Sequence, residues 1–186
     1  MSSIEHLITV ADLENFPEDD GNRYELIEGE LFVSAAPGIP HQLVLLNLQI
    51  HLHAYLQRNP IGKLVPGAGA VFSNFDAVIP DLVIVLNERW DQIVANNRFN
   101  AAPDLVIEIL SPGNENRRRD EIAKRRLYGK YGVEEYWIVD GESRSGEIYC
   151  LQGNVLEEFA TFSESEIIVS KLLSELNLPV SSVFAV

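Results

Sequence analysis

Two short segments of the sequence are similar to each other and differ by one acidic residue. Residues 80–86 read Pro-Asp-Leu-Val-Ile-Val-Leu and residues 103–110 read Pro-Asp-Leu-Val-Ile-Glu-Ile-Leu, so that Glu108 stands where the first segment has Val85. An apolar, β-branched run of this kind is typical of a strand buried on both faces, where a carboxylate loses much of its hydration. Glu108 therefore needs a compensating partner. A second acid, Asp81, begins a similar strand, and two carboxylates that converge commonly hold a cation, so the pair points to metal chemistry.

Strand geometry decides which of these carboxylates can meet. Asp104 and Glu108 share a strand face but lie roughly 13 Å apart at about 3.3 Å per residue, too far to share one ion at ligand distances of about 2 to 2.6 Å. If the two strands pair antiparallel, Asp81 lies beside Glu108, and if they pair parallel, it lies beside Asp104. The connection of residues 87–103 is long enough for either arrangement. Burial favours Glu108, because Asp104 is expected at the start of its strand, where water can reach it. The expected role of Asp104 is to cap a turn after its proline.

The helix predicted after Glu108 carries three polar residues on one face. Asp120, Lys124 and Tyr128 follow each other at i, i+4 and i+8. If this face turns toward the sheet, the flexible stem of Lys124 can bring its ammonium to the carboxylates, where a cation stabilises an attacking hydroxide or a charged phosphoryl oxygen. The alternative is an ion pair of Asp120 and Lys124 within the helix, worth only about 0.3 to 0.5 kcal/mol. Both arrangements can hold at once.

Two further residues are candidates on weaker grounds. Period-2 alternation puts Glu25 on the strand face opposite Tyr24 and Leu26, and for a strand glutamate this pattern favours solvent. His41 precedes an apolar helix and can contact a phosphate there, although a histidine at a helix start is commonly structural. His51 and His53 are two residues apart, do not share a helix face and receive no role.

The charge of the chain is unevenly distributed. The formal net charge is −14, yet seven of the 14 basic residues lie between Arg117 and Lys130, where only two acids offset them, so this stretch carries +5 and the remainder −19. One interpretation is a solvated helix face without a binding role. The functional one is a surface that contacts phosphates, for which the candidates are Arg117, Arg118, Arg119 and Arg125.

Length and composition predict one domain over residues 1–186, since 46% apolar residues suffice for one core. No run approaches the 18 apolar residues typical of a membrane helix, and the start does not resemble a signal peptide, so we expect a cytoplasmic protein without a membrane partner. Cys150 is alone, which excludes a disulfide or a cysteine-rich zinc site within one chain.

Periodicity and turn residues predict the secondary structure. Helices are expected at Thr9–Phe16, His41–Gln57, Asn87–Asn97 and Asn114–Tyr131, the last ending at a left-handed cap on Gly132. Strands are expected at Tyr24–Ile27, Leu31–Ala35, Gly62–Ser73 with a bend, Ala77–Leu86, Asp104–Leu110, Glu135–Asp140, Gly146–Leu151 and Val155–Phe162. The first two form a hairpin through Glu28, Gly29 and Glu30.

Four motifs taken together carry a resemblance to a known family. They are residues 24–30 (Tyr-Glu-Leu-Ile-Glu-Gly-Glu), 80–83, 103–108 and 132–140 (Gly-Val-Glu-Glu-Tyr-Trp-Ile-Val-Asp), in this order. From about Thr9 to Phe162 the chain resembles the Uma-two family of bacterial restriction-endonuclease-like proteins, within the PD-(D/E)XK nuclease superfamily. The resemblance implies an α/β fold with a restriction-endonuclease-like core, a mixed β-sheet flanked by helices, in which an antiparallel meander is followed by a crossover helix and a further strand. It thus favours the antiparallel pairing.

The resemblance also implies a site and an activity. Asp81 and Glu108 would bind Mg²⁺, with Mn²⁺ as a possible substitute. The superfamily pattern has a lysine two residues after the acid, where this chain has Leu110, and the resemblance implies that Lys124 takes over this role. Glu25 becomes an accessory acid and His41 a neighbour of the site.

We therefore expect a Mg²⁺-dependent endonuclease with DNA as its substrate and a homodimer as a possible assembly. A catalytically weak nuclease-fold domain that serves binding or assembly is the alternative, which the −19 outside the basic stretch favours. A nucleotide or RNA phosphodiesterase would use the same residues.

Overall fold

The computed structural model describes residues 7–13, 15–17, 20–111, 113, 117 and 119–185. The helices within them are α1 (Val10–Leu13), α2 (Ile39–Arg58), α3 (Asn87–Ile93), a π-helix (Arg119–Lys124) that runs directly into α4 (Arg125–Tyr131), and α5 (Val180–Val183). The strands are β1 (Asn22–Ile27), β2 (Glu30–Ala35), β3 (Gly62–Pro66), β4 (Ala70–Ser73), β5 (Asp76–Val78), β6 (Leu82–Leu86), β7 (Val94–Ala95), β8 (Arg98–Phe99), β9 (Leu105–Ile109), β10 (Glu135–Asp140), β11 (Ser145–Gln152), β12 (Val155–Ser163), β13 (Ile167–Ile168) and β14 (Leu178–Pro179).

The strands form two large sheets and a small one. The main sheet has the order β12-β11-β10-β9-β6-β3, the second sheet has the order β2-β1-β5-β4-β8-β7, and β13 pairs with β14. In the main sheet β6 and β9 run antiparallel, with Leu82 opposite Ile107, whereas β9 and β10 run parallel. The π-helix and α4 make the crossover between these two parallel strands, as a parallel pair requires. The predicted mixed α/β fold is confirmed, and the pairing of the two similar strands is antiparallel.

Alternation along β9 places its side chains in two separate cores. Leu105, Ile107 and Ile109 pack in the same apolar cluster as α2. Val106 and Leu110 face the opposite cluster, which also holds Tyr128 of α4. Because successive side chains alternate, Glu108 points to this second side, toward α4. No helix in the described ranges is both long and apolar enough to cross a membrane.

The chain changes sheets twice where the sequence pattern predicts continuous strands. The expected strand Gly62–Ser73 with a bend is divided into β3 in the main sheet and β4 in the second sheet, and the bend lies at Gly67, which has a φ of +60°. The expected strand Ala77–Leu86 is divided in the same way, into β5 and β6. The Gly67 N–H donates to the carbonyl of Asp81 at 3.1 Å, so a backbone hydrogen bond joins the two places where a strand is interrupted. Asp81 therefore lies at a crossing between the sheets.

Three helices also differ from their predictions. The expected helix Thr9–Phe16 is reduced to α1. The expected helix Asn87–Asn97 ends at Ile93, after which β7 and β8 form a hairpin whose turn residues, Asn96 and Asn97, have φ values of 53° and 59°. Of the expected helix Asn114–Tyr131, residues 114–116 and 118 lie outside the described residues, while Gly132 adopts the predicted left-handed conformation with a φ of 85°.

Candidate active site

A polar cleft lies between the two large sheets and the π-helix. Its volume is about 310 Å³ when the solvent-open part is included. The residues that line it are Arg23, Glu25, Ser34, Ala35, Pro37, His41, Ile79, Asp81, Glu108, Ile109, Ser111, Arg119 and Lys124. The structure thus brings together all four residues predicted to be catalytic, with His41 and Arg119.

Asp81 is held by three donors from different parts of the chain. Its Oδ2 accepts hydrogen bonds from the Ile109 N–H at 2.9 Å and from His41 Nε2 at 3.0 Å, and its Oδ1 lies 3.2 Å from Arg23 Nη1. Burial raises the pKa of Asp81, but His41, the Ile109 N–H and the charge of Lys124 outweigh burial and lower it below its ordinary value. Asp81 is therefore ionised at neutral pH.

Glu108 lies on the adjacent strand and is buried at 3% exposure. Its Oε1 accepts hydrogen bonds from Lys124 Nζ at 2.9 Å and from Tyr128 Oη at 2.7 Å. Burial raises the pKa of Glu108 to about 8, because Lys124 offsets the loss of hydration only in part and the carboxylates of Asp81, Asp120 and Glu25 add to the rise. Glu108 thus binds a proton more readily than an ordinary glutamate.

Lys124 is the cation at the centre of the cluster. Its Nζ lies 2.9 Å from Glu108 Oε1 and 2.9 Å from Glu25 Oε1, and the side chain is 2% exposed. Burial lowers the pKa of Lys124, but the carboxylates of Glu108, Glu25 and Asp120 raise it further than burial lowers it, so the ammonium stays charged. The predicted ion pair within the helix is also present as a looser contact, since Asp120 Oδ1 lies 3.8 Å from Nζ.

Glu25 contradicts the expectation that it faces solvent. It is 2% exposed, and its Oε1 accepts a hydrogen bond from the Ile79 N–H at 2.7 Å in addition to the contact with Lys124. Since β1 lies between β2 and β5 in the second sheet, its end is covered on both sides and residues 25–27 are all buried. Alternation identifies the face of a strand, but it does not show what packs on that face.

The π-helix turns Arg119 and Asp120 inward together with Lys124, and all three are buried. Arg119 Nε and Nη2 donate to the two oxygens of Asp120 at 2.8 and 3.2 Å, and Nη1 lies 3.8 Å from Glu25 Oε2. Such a π-helical turn is frequent at functional sites. Arg119, which was predicted to belong to a surface that contacts phosphates, lies inside the cleft.

Two of the other basic candidates, Arg117 and Arg125, do not line the cleft. Arg117 pairs with Glu121 at 2.9 Å and with Asp140 at 2.6 Å, and Arg125 lies over the ring of Tyr149 at 4.7 Å. Both are therefore engaged in contacts within the protein. Arg118 lies outside the described residues.

Asp104 does not line the cleft, but its surroundings differ from the prediction. It is 0% exposed, so the expected access of water is wrong. Its Oδ2 accepts from the Leu86 N–H at 2.8 Å and its Oδ1 from Arg89 Nη1 at 2.7 Å, so it ties the end of β6 to α3 instead of capping a turn after its own proline. The two similar segments thus supply one cleft carboxylate each, Asp81 and Glu108.

Among the charged residues that line the cleft, sequence reasoning missed one, Arg23, and it assigned no role to Tyr128, which contacts Glu108. Arg23 lines the cleft and stands two residues before Glu25, so the same strand alternation could have found it. Tyr128 lies on the predicted helix face, four positions after Lys124. At this spacing the two side chains are neighbours, so both can contact Glu108. His41, which was predicted to be a neighbour of the site, contacts Asp81, while its buried Nδ1 has no partner among the described residues.

The donor set fits Mg²⁺. In the described parts of the chain, no three residues of the types His, Cys, Asp and Glu are arranged as a ready metal site. Mg²⁺, however, commonly takes only one or two protein carboxylates and completes its shell with water and substrate phosphates. Asp81, just before β6, and Glu108, on the adjacent strand β9, supply two such carboxylates. The cluster has an anionic excess once Glu108 is ionised, since Glu25, Asp81, Glu108 and Asp120 then face three permanent cations, Arg23, Arg119 and Lys124.

Comparisons with known proteins agree with this fold. Residues 10–181 match the family described as "Uma2: Putative restriction endonuclease". Among solved structures, the chain is similar to "a putative nuclease belonging to DUF820" from Anabaena variabilis, with a TM-score of 0.77 and 21% identity over 96% of this chain and 98% of that one. At this identity the similarity establishes the fold. No curated protein matches the chain.

Proposed function

The chain belongs to the Uma2 restriction endonuclease family, and from this premise we propose that it is a Mg²⁺-dependent endonuclease that hydrolyses phosphodiester bonds in DNA. The observation that carries the proposal is the position of Lys124. Its ammonium lies 2.9 Å from Glu108, whose strand is paired antiparallel with the strand that begins after Asp81. An acidic pair next to a charged lysine is the arrangement that phosphoryl chemistry needs.

In this proposal Asp81 and Glu108 hold Mg²⁺, which when bound lowers the pKa of a water and neutralises a phosphoryl oxygen. Lys124 orients the attacking water and stabilises the negative charge that develops on the phosphoryl group. Because its pKa is raised, Lys124 acts as a fixed cation and not as a base. Glu25 holds the ammonium in place through its 2.9 Å contact.

The cleft also offers two guanidinium groups to the phosphates of the substrate. Arg23 has a side chain that is 30% exposed, at 3.2 Å from Asp81. Arg119 is buried and is neutralised in part by Asp120. Arg23 is therefore the better candidate for direct contact with a DNA phosphate.

A plasmid nicking assay with Mg²⁺ or Mn²⁺ tests the proposal. We expect activity in the natural protein and a loss of more than about 100-fold in Asp81→Asn and Glu108→Gln. Asp104→Asn, purified in the same way, is the matched control, because Asp104 is an equally buried carboxylate outside the cleft and should keep the activity. Activity that survives Glu108→Gln would overturn the assignment. Light scattering on the same preparation tests the expected homodimer, and RNA and nucleotide substrates test the choice of DNA.

A specific observation favours a second function, a nuclease-fold domain that binds or assembles without turnover. Both carboxylates of the proposed metal pair are already engaged, Asp81 by three donors and Glu108 by two. A domain of this kind would not bind Mg²⁺ or Mn²⁺ in calorimetry at millimolar metal. Metal binding that is lost in Asp81→Asn, with the fold intact by circular dichroism, would exclude this function.

A further inference from the structure

We propose that Tyr128 is a positioning residue, whose hydroxyl fixes the carboxylate of Glu108 in the orientation that the metal requires. This inference rests on the proposed function, because Glu108 is a proposed metal ligand. The site as predicted from the sequence contains Asp81, Glu108, Lys124 and Glu25 and assigns nothing to Tyr128. The structure supplies the reason to add it.

The first observation is that Tyr128 and Lys124 bind the same oxygen. Tyr128 Oη lies 2.7 Å and Lys124 Nζ 2.9 Å from Glu108 Oε1. The two residues are four positions apart, so consecutive turns of one helical segment donate to one carboxylate oxygen. The terminal torsion of a glutamate is broad and roughly two-fold when nothing holds it. Two donors on one oxygen select a single orientation.

The second observation is that Tyr128 itself cannot turn away. The residue is 0% exposed. Its ring lies 5.0 Å from the ring of Tyr136 and 6.4 Å, edge on, from that of Phe72. Tyr136 Oη in turn donates to the carbonyl of Asp120 at 3.0 Å, which ties the ring pair to the π-helix that carries Lys124. The hydroxyl of Tyr128 is therefore directed by packing from two sides.

A buried tyrosine hydroxyl usually finds some partner, so the contact alone could be structural. The chain offers a matched control for that possibility. Tyr131, three residues further along α4, donates from Oη to Asp76 Oδ2 at 2.6 Å, and Asp76 does not line the cleft. Both tyrosines therefore make the same bond to a buried carboxylate, but only that of Tyr128 reaches a proposed metal ligand.

The experiment compares Tyr128→Phe with Tyr131→Phe, since each variant keeps the ring and loses one hydroxyl. Mn²⁺ affinity is measured by calorimetry, and crystal structures of the metal-free variants show the carboxylate of Glu108. We expect about 10- to 100-fold weaker Mn²⁺ binding for Tyr128→Phe, with its Glu108 carboxylate rotated away from Lys124. Tyr131→Phe should bind Mn²⁺ within about twofold of the natural protein. Replacement of Tyr128 by 3-fluorotyrosine, which keeps the hydroxyl, should restore the affinity.

An unchanged Glu108 orientation and unchanged Mn²⁺ affinity in Tyr128→Phe would overturn the inference while leaving the proposed function intact. Equal losses in both phenylalanine variants would overturn it as well, because they would indicate a general effect of losing a buried hydrogen bond. If Tyr128→Phe does not fold, the 3-fluorotyrosine protein decides through its Mn²⁺ affinity, which must stay near the natural value. If the natural protein binds no Mn²⁺, the proposed function fails, and the crystal structures still decide whether Tyr128 orients Glu108.

Discussion

Lys124 Nζ lies 2.9 Å from Glu108 Oε1, although the two residues come from different elements, the π-helix and β9, and are 16 positions apart in the chain. The position two residues after Glu108 belongs to Leu110, which packs in an apolar cluster. The cation that neutralises Glu108 therefore comes from the π-helix, which faces β9 from the side of the second core.

Replacing Lys124 by methionine should destabilise the protein strongly. Methionine fills much of the volume but leaves Glu25 and Glu108 buried without their shared cation. Removing one partner of a buried ion pair typically costs about 3 to 5 kcal/mol of the free energy of unfolding. Urea unfolding at pH 8 measures the loss. The double variant Lys124→Met, Glu108→Gln should recover part of it, and a loss below about 1 kcal/mol in the single variant would contradict the contacts described for Lys124.

Stability of the metal-free protein should fall as the pH rises toward 8. The pKa of Glu108 is raised from 4.5 to about 8 by burial. Between these values the folded protein holds a proton that the unfolded chain has lost, so the free energy of unfolding decreases with pH, by an amount on the order of a few kcal/mol. Asp81 affects stability in a different pH range. Because its pKa is lowered, its contribution to the free energy of unfolding is lost only as the pH falls below 3.8. Urea unfolding from pH 5 to 9 in EDTA should show a flatter curve for Glu108→Gln, and parallel curves would refute the raised pKa.

Metal binding should strengthen with pH over the same range. A metal ion must displace the proton of Glu108, so the apparent affinity should rise by about tenfold per pH unit below pH 8 and level off above it. Calorimetry in buffers of different ionisation enthalpy should detect the release of about one proton per Mn²⁺ at pH 6.5. A pH-independent affinity would mean that Glu108 is not a ligand.

DNA binding should depend only weakly on salt. Arg119 and Lys124 are buried and Arg117 is paired with two acids, so few free cations face the substrate at the cleft. With about two phosphate contacts, the slope of log K against log salt should be about −2, instead of the steeper value expected from a basic surface. In Arg23→Gln the slope should become shallower, at about −1. The free energy of unfolding of this variant should decrease by less than about 1 kcal/mol, because the Arg23 side chain is partly exposed. A slope steeper than about −5 would show that residues beyond the cleft carry the binding.

Asp104→Asn and Asp81→Asn should separate stability from metal binding. Asp104 holds Arg89 and the Leu86 N–H, so Asp104→Asn should lower the free energy of unfolding by about 1 to 3 kcal/mol and leave Mn²⁺ affinity unchanged. Asp81→Asn should abolish Mn²⁺ binding. Thermal unfolding and calorimetry on both variants check this, and weakened Mn²⁺ binding in Asp104→Asn would mean that the site extends to the end of β6.

Local sequence patterns predict which side chains line the candidate site. An acid inside an apolar run identified Glu108, an aspartate after a proline identified Asp81, and i, i+4 spacing put Lys124 and Tyr128 on one helix face. These features depend on residue type and on the periods of a strand and a helix, which neighbouring residues determine. The family resemblance then chose between the two strand pairings, and the structure confirms its choice.

Packing between distant segments decided the rest. Burial of Glu25 depends on how the second sheet meets the π-helix, and the inward direction of Arg119 depends on the π-helical turn. The breaks at Gly67 and before Asp81 arise because the chain passes from one sheet to the other, and a hydrophobic pattern is the same on either side of such a crossing. Alternation indicates on which face of a strand a side chain lies, but only the tertiary structure shows whether water, a carboxylate or a lysine is packed against that face.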